Sequence, residues 1–319
     1  MMSAALVLVE HASGVPRRAC LETLCKARDL GLSPVALVCG ADPAAAAVAC
    51  APFADRVLAA ASDDLERYNA DAHLALAARA VAELSPVLVA GPSTITGRDL
   101  VARLSARLGG PYAAEIIDLA LGADGRPLAV RAVHGGKALA RIAFEGSGPC
   151  FVTVRSNAFP MSEPRAPGPI ESLEAGIDPS SLRMRVTNVE ETGGGRVGVT
   201  EADIVVAGGR GLGDPGNFAL LERLADRLGA AVGASRAVVD AGWRDASDQV
   251  GKSGNTVAPG LYVAFGVSGS AHHVMGMDGS GVVVVINKDP NALFFQYADH
   301  GLAADALEIL PALIEALGE

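Results

Sequence analysis

The sequence has few aromatic residues, no long apolar run and no basic run. Aromatic residues make up 4% of its 319 residues. Every apolar stretch ends well short of the ~20 residues that a bilayer-spanning helix needs, so we expect no membrane insertion. The chain has 26 Lys and Arg against 36 Asp and Glu, a formal net charge of -10. The negative electrostatic field of such an acidic chain disfavours nucleic acid as a partner.

The cysteines form neither a disulfide framework nor a zinc site. There are five of them, with no C-x-x-C pair and no histidines at zinc-finger spacing. We therefore predict no metal site, and buried thiols in a reducing compartment. No charged or amphipathic leader precedes the strand-like run Leu6-Val7-Leu8-Val9, so we expect a cytoplasmic location.

What the chain does have is apolar residues in short segments. Half of the residues are hydrophobic, and 37 Gly and 18 Pro divide them. Short apolar runs alternate with helical patterns such as residues 70–84, which indicates a mostly parallel sheet with helices on both faces. Gly135-Gly136 lies between two further apolar runs and predicts a hairpin, so the first half is expected to end in antiparallel strands.

The composition changes in the middle of the chain. Five prolines lie between Asn157 and Ser181, where little periodicity is present. We place the domain seam there. The sequence thus predicts an α/β protein of two domains, 1–187 and 188–319, each a mostly parallel sheet with flanking helices.

A glycine loop lies between a strand and a helix of the second domain. Gly211, Gly213 and Gly216 fit G-x-G-x-x-G, which points backbone N–H groups at a phosphate, although an ordinary tight turn is the alternative. A nicotinamide-dependent dehydrogenase would use this loop, but it would also need an acidic residue where the chain has Ser235-Arg236. Gly251-Lys252-Ser253 looks like the end of a P-loop, but the glycine required five residues earlier is Ala246, which excludes nucleotide hydrolysis there.

The most specific segment follows that loop. A Leu261-Tyr262 strand leads to Ser268-Gly269, then to His272-His273, Gly276-Met277 and finally Asn287-Lys288-Asp289. This order closely resembles the signature of the α subunits of electron transfer flavoproteins, and similar segments cover nearly the whole chain. Two positions depart from it: His272 stands where the family usually has Gln, and Ser253 where many members have Thr.

The resemblance implies non-covalent FAD, held mainly by a Rossmann-like C-terminal domain. It places the following residues at the cofactor: Arg210, Ser235, Arg236, Gln249, Val250, Gly251, Lys252, Ser253, Ser268, Gly269, Ser270, Ala271, His272, His273, Asn287 and Asp305.

For three of these residues the resemblance implies a particular role. Arg236 would lie over the isoalloxazine and favour the reduced flavin, Ser253 would donate toward N5, and His273 would lie near the C2 carbonyl. The turn from Ser268 to Ala271 would offer N–H groups to the pyrophosphate. Structural alternatives stay open: a surface salt bridge for Arg236, a core position for His273 and a helix cap for Asp305.

The resemblance also implies an electron carrier rather than an enzyme, without catalytic residues. FAD would accept single electrons from flavin dehydrogenases, such as the acyl-CoA dehydrogenases of fatty acid β-oxidation. It would deliver them to electron transfer flavoprotein-ubiquinone oxidoreductase. The expected assembly is a heterodimer in which the first domain packs on a β subunit. The rival interpretations are the dehydrogenase above, which lacks its acidic ribose ligand, and an adenine-nucleotide binding module, which leaves the segment from Leu261 to Asp289 unexplained.

Overall fold

The computed structural model describes residues 3–134, 138–146, 148–188, 197–200 and 202–318. The chain divides into two compact units, Met1–Val189 and Glu190–Glu319. Within the described ranges, no helix is long and apolar enough to cross a membrane.

The first unit contains four helices and a large sheet among its described residues. Its strands are β1 (Ala4–Val9), β2 (His11–Ala12), β3 (Val15–Pro16), β4 (Ser33–Gly40), β5 (Arg56–Ala61), β6 (Leu88–Pro92), β7 (Tyr112–Leu121), β8 (Pro127–Val133), β9 (Ala138–Ala143), β10 (Cys150–Val154) and β11 (Ile170–Ser172). Its helices are α1 (Arg18–Asp29), α2 (Ala44–Cys50), α3 (Ala70–Leu84) and α4 (Ile95–Leu108).

Nine of these strands form one sheet in the order β11-β5-β4-β1-β6-β10-β7-β8-β9. Neighbours from β11 to β7 are parallel, while β7, β8 and β9 are antiparallel. The central strands β6 and β10 are buried along their whole length because helices cover both faces of a parallel sheet. The predicted mixture of parallel and antiparallel strands is confirmed, and the Gly135-Gly136 turn lies outside the described residues.

The helix predicted over residues 70–84 is α3. The Asn69 side chain accepts hydrogen bonds from the backbone N–H groups of Asp71 and Ala72, which satisfies two free donors of the first turn. The helix ends at Ser85, which adopts a left-handed conformation with φ 45°. Local capping thus fixes both ends of this helix.

Part of the proline-rich stretch in which we placed the seam packs in the first unit. It contains β11, which pairs parallel to β5, and the Pro169 carbonyl accepts from the Val57 N–H at 2.9 Å. Leu173 is buried in the core of the first unit. The prolines restrict the strand to three residues, but a carbonyl can still accept in the ladder, so this stretch packs as an edge of the first sheet.

The second unit has a smaller sheet. Its elements are β12 (Ile204–Gly208), α5 (Phe218–Leu228), β13 (Ala231–Ala234), α6 (Arg236–Val239), β14 (Leu261–Phe265), α7 (Ala271–Val274), β15 (Val282–Ile286), β16 (His300–Leu302) and α8 (Ala306–Ala316).

The five strands described in this unit are all parallel, in the order β13-β12-β14-β15-β16. Numbered along the chain this is 2-1-3-4-5, so the direction of winding reverses between β12 and β14. Ligands of doubly wound sheets bind outside the carboxyl ends of the strands at such a switch point. The topology therefore selects the loops after β12 and β14 as the place to look for a site.

Successive strand residues face opposite sides of this sheet. Phe265 packs with Leu221 of α5 and Leu310 of α8 on one side. Tyr262 and Ala264 face the other side, where Val274 of α7 and Val257 of the segment before β14 cover them. The second face is thus closed by a short helix and irregular chain, which carry most of the predicted site residues.

Candidate functional site

The predicted cofactor residues follow the carboxyl ends of all five strands of the second unit. Parallel strands end at one edge of a sheet, so these residues share that edge. They come after β12 (Arg210), β13 (Ser235 and Arg236), β14 (Ser268, Gly269, Ser270, Ala271, His272 and His273), β15 (Asn287) and β16 (Asp305).

The two loops at the switch point touch through glycines. The N–H of Gly209 donates to the Phe265 carbonyl at 2.9 Å, and the N–H of Gly211 donates to the Gly266 carbonyl at 3.0 Å. A Cβ on Gly211 would lie 2.6 Å from the Gly266 Cα, closer than real Cβ atoms come. The first glycine of the G-x-G-x-x-G pattern therefore allows the two loops to pack together.

The turn after β14 presents unused backbone donors. In the described part of the chain, the N–H groups of Ser268, Gly269, Ser270 and Ala271 have no backbone acceptor. Gly269 has φ +76°, and a Cβ there would lie 2.4 Å from Phe294. Successive free N–H groups in a glycine turn form a concave site for an anion. This turn thus fits the predicted pyrophosphate position.

The segment Gln249–Ser253 reaches the same edge by attaching to β13. The Val250 N–H donates to the Ala234 carbonyl at 2.9 Å, as an extension of the parallel ladder. The Lys252 N–H donates to the His272 carbonyl at 2.7 Å. Two segments that lie about twenty residues apart in the chain are thereby joined at the edge of the sheet.

Ser253 has a buried partner within this segment. The Gln249 side chain is buried, and its Nε2 donates to the Ser253 Oγ at 3.1 Å. Because the oxygen accepts this bond, the hydroxyl hydrogen of Ser253 stays available for another acceptor. The predicted role of Ser253, donation of a hydrogen bond toward the flavin N5, requires this available hydrogen.

His273 lies in a buried aromatic cluster. Its Nε2 is 2.9 Å from the Tyr262 hydroxyl oxygen, and its ring contacts Phe294 edge-on. Burial lowers the pKa of His273 to about 4, and the backbone of Val250 opposes this shift. The ring is therefore neutral near pH 7, with one donor and one acceptor nitrogen.

His272 and Arg236 are placed at the surface. The His272 ring is exposed and makes no hydrogen bond to any described residue. Arg236 is 64% exposed, and its Nε lies 3.3 Å from the Asp240 Oδ2. The surface salt bridge that the sequence left open for Arg236 is thus present, and an exposed guanidinium remains free to contact a ligand as well.

Asn287 and Asp305 both have structural roles. The Asn287 Nδ2 donates to the Val267 carbonyl at 2.9 Å, which ties the end of β15 to the turn after β14. Asp305 caps α8 by accepting from the Leu307 N–H at 2.9 Å. The helix-cap interpretation of Asp305 is confirmed, and a contact of either residue with a cofactor stays a prediction.

Sequence reasoning missed three residues that contact predicted site residues. Tyr262 holds the Nε2 of His273, Asp240 pairs with Arg236, and Gly276 packs on Gly251. The four-residue spacing of Arg236 and Asp240 on a helical turn was a readable signal. No sequence signal pointed to the other two contacts, because they join separate segments.

The structure contains no alternative metal or thiol chemistry in the ranges it describes. No group of three or more His, Cys, Asp or Glu side chains there is arranged to hold a metal ion. The cysteines are free thiols, and burial raises the pKa of Cys39 and Cys50 to about 12. Such thiols are unreactive at neutral pH.

The donor set at this edge suits a dinucleotide with an electron-accepting ring. The free N–H groups from Ser268 to Ala271 suit a pyrophosphate, and Arg236 is an exposed cation. The buried Nδ1 of His273 makes no hydrogen bond of normal geometry to any described residue, so a donor or acceptor is left for a ligand. A parallel α/β unit with these groups at its switch point belongs to the class of nucleotide-cofactor binding domains.

Comparison with known proteins identifies the family. The electron transfer flavoprotein domain model matches residues 5–178, and the electron transfer flavoprotein FAD-binding domain model matches residues 198–278. The chain belongs to the electron transfer flavoprotein family, among its α subunits, and FAD is the cofactor of its second unit.

Relatives match along nearly the whole chain. The mitochondrial electron transfer flavoprotein subunit alpha of Arabidopsis thaliana is 36% identical over 332 residues, covering 98% of this chain and 89% of that protein. The corresponding subunit of Syntrophomonas wolfei is 34% identical over 317 residues, covering 99% of both chains. That of Mycobacterium tuberculosis H37Rv is 36% identical over 319 residues, covering 99% of this chain and 98% of that protein. An electron transfer role follows from this membership.

Proposed function

We propose that the chain carries electrons as the FAD-binding subunit of a heterodimer with an electron transfer flavoprotein β subunit. It accepts single electrons from flavin dehydrogenases such as acyl-CoA dehydrogenases. It delivers them to electron transfer flavoprotein-ubiquinone oxidoreductase in the membrane. The chain transforms no substrate of its own, and it acts in the cytoplasm.

One observation carries the assignment of the cofactor site. The switch point between β12 and β14 lies beside a turn of free backbone donors, from Ser268 to Ala271. The same carboxyl edge holds the exposed Arg236 and the buried, neutral His273. An anion-binding turn, a cation and a neutral donor together suit the pyrophosphate and the isoalloxazine of FAD.

Each of these groups has a distinct task. The turn from Ser268 to Ala271 binds the pyrophosphate through its N–H groups. Arg236 supplies positive charge, which favours the reduced cofactor. Ser253, oriented by Gln249, offers its hydroxyl hydrogen to the ring, and His273 offers a nitrogen from a buried position. FAD, when bound, supplies the capacity to take up and release single electrons.

The remaining predicted residues complete the binding edge. Arg210, Lys252 and Ser235 lie on loops at the carboxyl ends of β12 and β13, where they can reach the polar parts of the cofactor. Val250 and Gly251 contribute backbone to that edge, with Gly251 at φ +145°. His272 is at the surface, where it can contact either the cofactor or the β subunit.

The first unit provides the surface for the β subunit. Its sheet ends in β9, an edge strand without a second neighbour in the described part of the chain. Leu139 of β9 is 64% exposed, and Leu128 of β8 is 39% exposed. An exposed apolar edge of this kind is typical of a protein interface.

The nicotinamide-dependent alternative gains no support from this arrangement. Gly211 is used for packing against Gly266. The strand after α5 ends at Ala234 and is followed by Ser235 and Arg236, without the acidic residue that ribose binding needs.

The experiment that tests this proposal is purification of the chain together with the β subunit of its own genome. The complex is expected to be yellow, to contain one FAD, and to bleach when an acyl-CoA dehydrogenase and its acyl-CoA substrate are added. Addition of the quinone oxidoreductase and a quinone should restore the colour. A colourless complex that takes up no FAD would overturn the cofactor assignment. A yellow complex that no flavin dehydrogenase reduces would overturn the assignment of these enzymes as electron donors.

A further inference from the structure

We infer that Tyr262 is a positioning residue of the cofactor site, which holds His273 as the tautomer with its proton on Nδ1. The inference rests on the proposed place of His273 beside FAD. It adds a residue that contacts no cofactor itself and acts only through the imidazole.

The geometry of the pair is specific. The Tyr262 hydroxyl oxygen lies 2.9 Å from the His273 Nε2. Tyr262 is completely buried, and His273 is 4% exposed. Neither group can exchange its partner for water in this position, so the hydrogen bond between them must fix both side chains.

The surroundings of the pair are apolar. Phe294 contacts both rings, with centroid distances of 6.4 Å to Tyr262 and 5.6 Å to His273. Val274 and Met277 belong to the same buried cluster. The charged form of His273 is therefore disfavoured, and a neutral imidazole has one N–H donor and one lone-pair acceptor.

Two arrangements of the Tyr262 hydroxyl hydrogen and the His273 ring proton are compatible with the 2.9 Å distance between the hydroxyl oxygen and Nε2. In the first, the Tyr262 O–H donates to Nε2, and the His273 proton lies on Nδ1. In the second, Nε2–H donates to the Tyr262 oxygen, and the hydroxyl hydrogen needs another acceptor. Among the described residues the hydroxyl has no second partner. The second arrangement therefore leaves a completely buried O–H donor unsatisfied.

The number of unsatisfied groups selects the first arrangement. The second leaves two buried groups without a partner, the hydroxyl hydrogen and the Nδ1 lone pair. Each such group is costly, and the first arrangement leaves fewer of them. Its only open group is Nδ1–H, and Nδ1 makes no hydrogen bond of normal geometry to any described residue.

The consequence is a neutral hydrogen-bond donor kept ready for the cofactor. With Nε2 occupied by Tyr262, His273 can offer only Nδ1–H to FAD. Loss of the hydroxyl would allow the proton to move to Nε2, and Nδ1 would then present a lone pair. A cofactor carbonyl would meet an acceptor instead of a donor.

The test measures the tautomer directly. The full chain, labelled with ¹⁵N-histidine and co-purified with its β subunit, is examined by long-range ¹H–¹⁵N correlation before and after removal of FAD. The His273→Gln variant assigns the resonances. We expect Nδ1 protonated and Nε2 unprotonated in the wild type. A wild-type spectrum with the proton on Nε2 overturns the inference, and this readout needs no Tyr262 variant to fold.

Substitution then tests the role of the hydroxyl. Tyr262→Phe should shift the His273 resonances toward the Nε2–H tautomer and weaken FAD binding about tenfold, the loss expected for one hydrogen bond. Tyr112→Phe is the matched control, because its hydroxyl lies 3.5 Å from the Thr153 Oγ1 in the first unit. It should leave the His273 spectrum and the FAD affinity unchanged. An unchanged tautomer in Tyr262→Phe overturns the inference.

The outcomes separate this inference from the proposed function. A preparation that contains and binds no FAD overturns the proposed function, while the tautomer still reports on the Tyr262–His273 pair. If the tautomer is as expected but the His273 resonances do not respond to FAD removal, the placement of His273 at the cofactor is overturned, and with it the positioning role of Tyr262.

Discussion

Gly276 lies directly against Gly251, so close that a Cβ on Gly276 would be 2.3 Å from the Gly251 Cα. Gly251 has φ +145°, a conformation that side chains rarely adopt. This contact, together with the 2.7 Å hydrogen bond from the Lys252 N–H to the His272 carbonyl, joins the two segments that carry Ser253 and His273. The site depends on a backbone approach that only glycine permits.

Gly276→Ala should therefore separate these segments. Because the clash is with backbone rather than with a flexible side chain, the free energy of unfolding should fall by about 1–3 kcal/mol, and FAD should bind more weakly. Chemical denaturation and FAD titration measure both effects. Gly198→Ala is the control, since a Cβ at Gly198 meets nothing within 4 Å. Equal stability and affinity for the two variants would show that the contact has no such role.

The Gln249–Ser253 pair should behave as a coupled unit. A double-mutant cycle with Gln249→Leu and Ser253→Ala should give an interaction free energy of about 0.5–1.5 kcal/mol, because each single variant leaves one polar group without its partner. Denaturation of the four proteins measures it. Additive effects would mean that Gln249 does not orient the Ser253 hydroxyl.

Protonation of His273 should make the stability depend on pH. The pKa of this histidine falls from 6.5 to about 4 in the folded protein. The free energy of unfolding is therefore unaffected by this histidine above pH 6.5, where the ring is neutral in both states. As the pH falls from 6.5 toward 4, the unfolded chain takes up a proton and the folded protein does not, so that free energy decreases by up to roughly 3 kcal/mol. The difference in unfolding free energy between wild type and His273→Gln should shrink over this range. A difference that stays constant from pH 7 to pH 4 would contradict the buried, neutral imidazole.

Asp240 should tune the cofactor without stabilising the fold. Its ion pair with Arg236 is exposed at both ends, so Asp240→Asn should change the free energy of unfolding by less than about 0.5 kcal/mol. Removing the negative charge leaves Arg236 unneutralised, and the flavin midpoint potential should become more positive. Spectroelectrochemical titration measures the potential. Glu315→Gln, at the exposed end of α8, removes the same charge and should leave the potential unchanged. Equal potentials in wild type and Asp240→Asn would argue against Arg236 at the flavin.

Local sequence patterns predicted the helices and strands whose ends are fixed by neighbouring residues in the chain. The helix over residues 70–84 has a cap at each end, and the strand Val282–Ile286 is a continuous apolar run. The strand β11 could not be predicted among the prolines, because a short edge strand tolerates them and periodicity cannot reveal a three-residue strand. Its partner β5 lies more than a hundred residues earlier in the chain.

Of the proposed site, the sequence alone indicates the part that lies in one continuous segment. The run from Ser268 to His273 and the order of strand ends follow from the sequence and from the parallel topology. The pairing of Tyr262 with His273 does not, because it requires the chain to return on itself after Gly266. Contacts between segments depend on the packed structure, and the sequence contains no local signal for them.

A crystal structure of the complex with its β subunit and FAD would show where the cofactor lies on the second unit. We predict FAD at the carboxyl ends of β12 and β14, with pyrophosphate oxygens within hydrogen-bond distance of the N–H groups from Ser268 to Ala271. We also predict a hydrogen bond from the His273 Nδ1–H to the cofactor. FAD bound away from these strand ends, or with neither phosphate near that turn, would contradict this prediction.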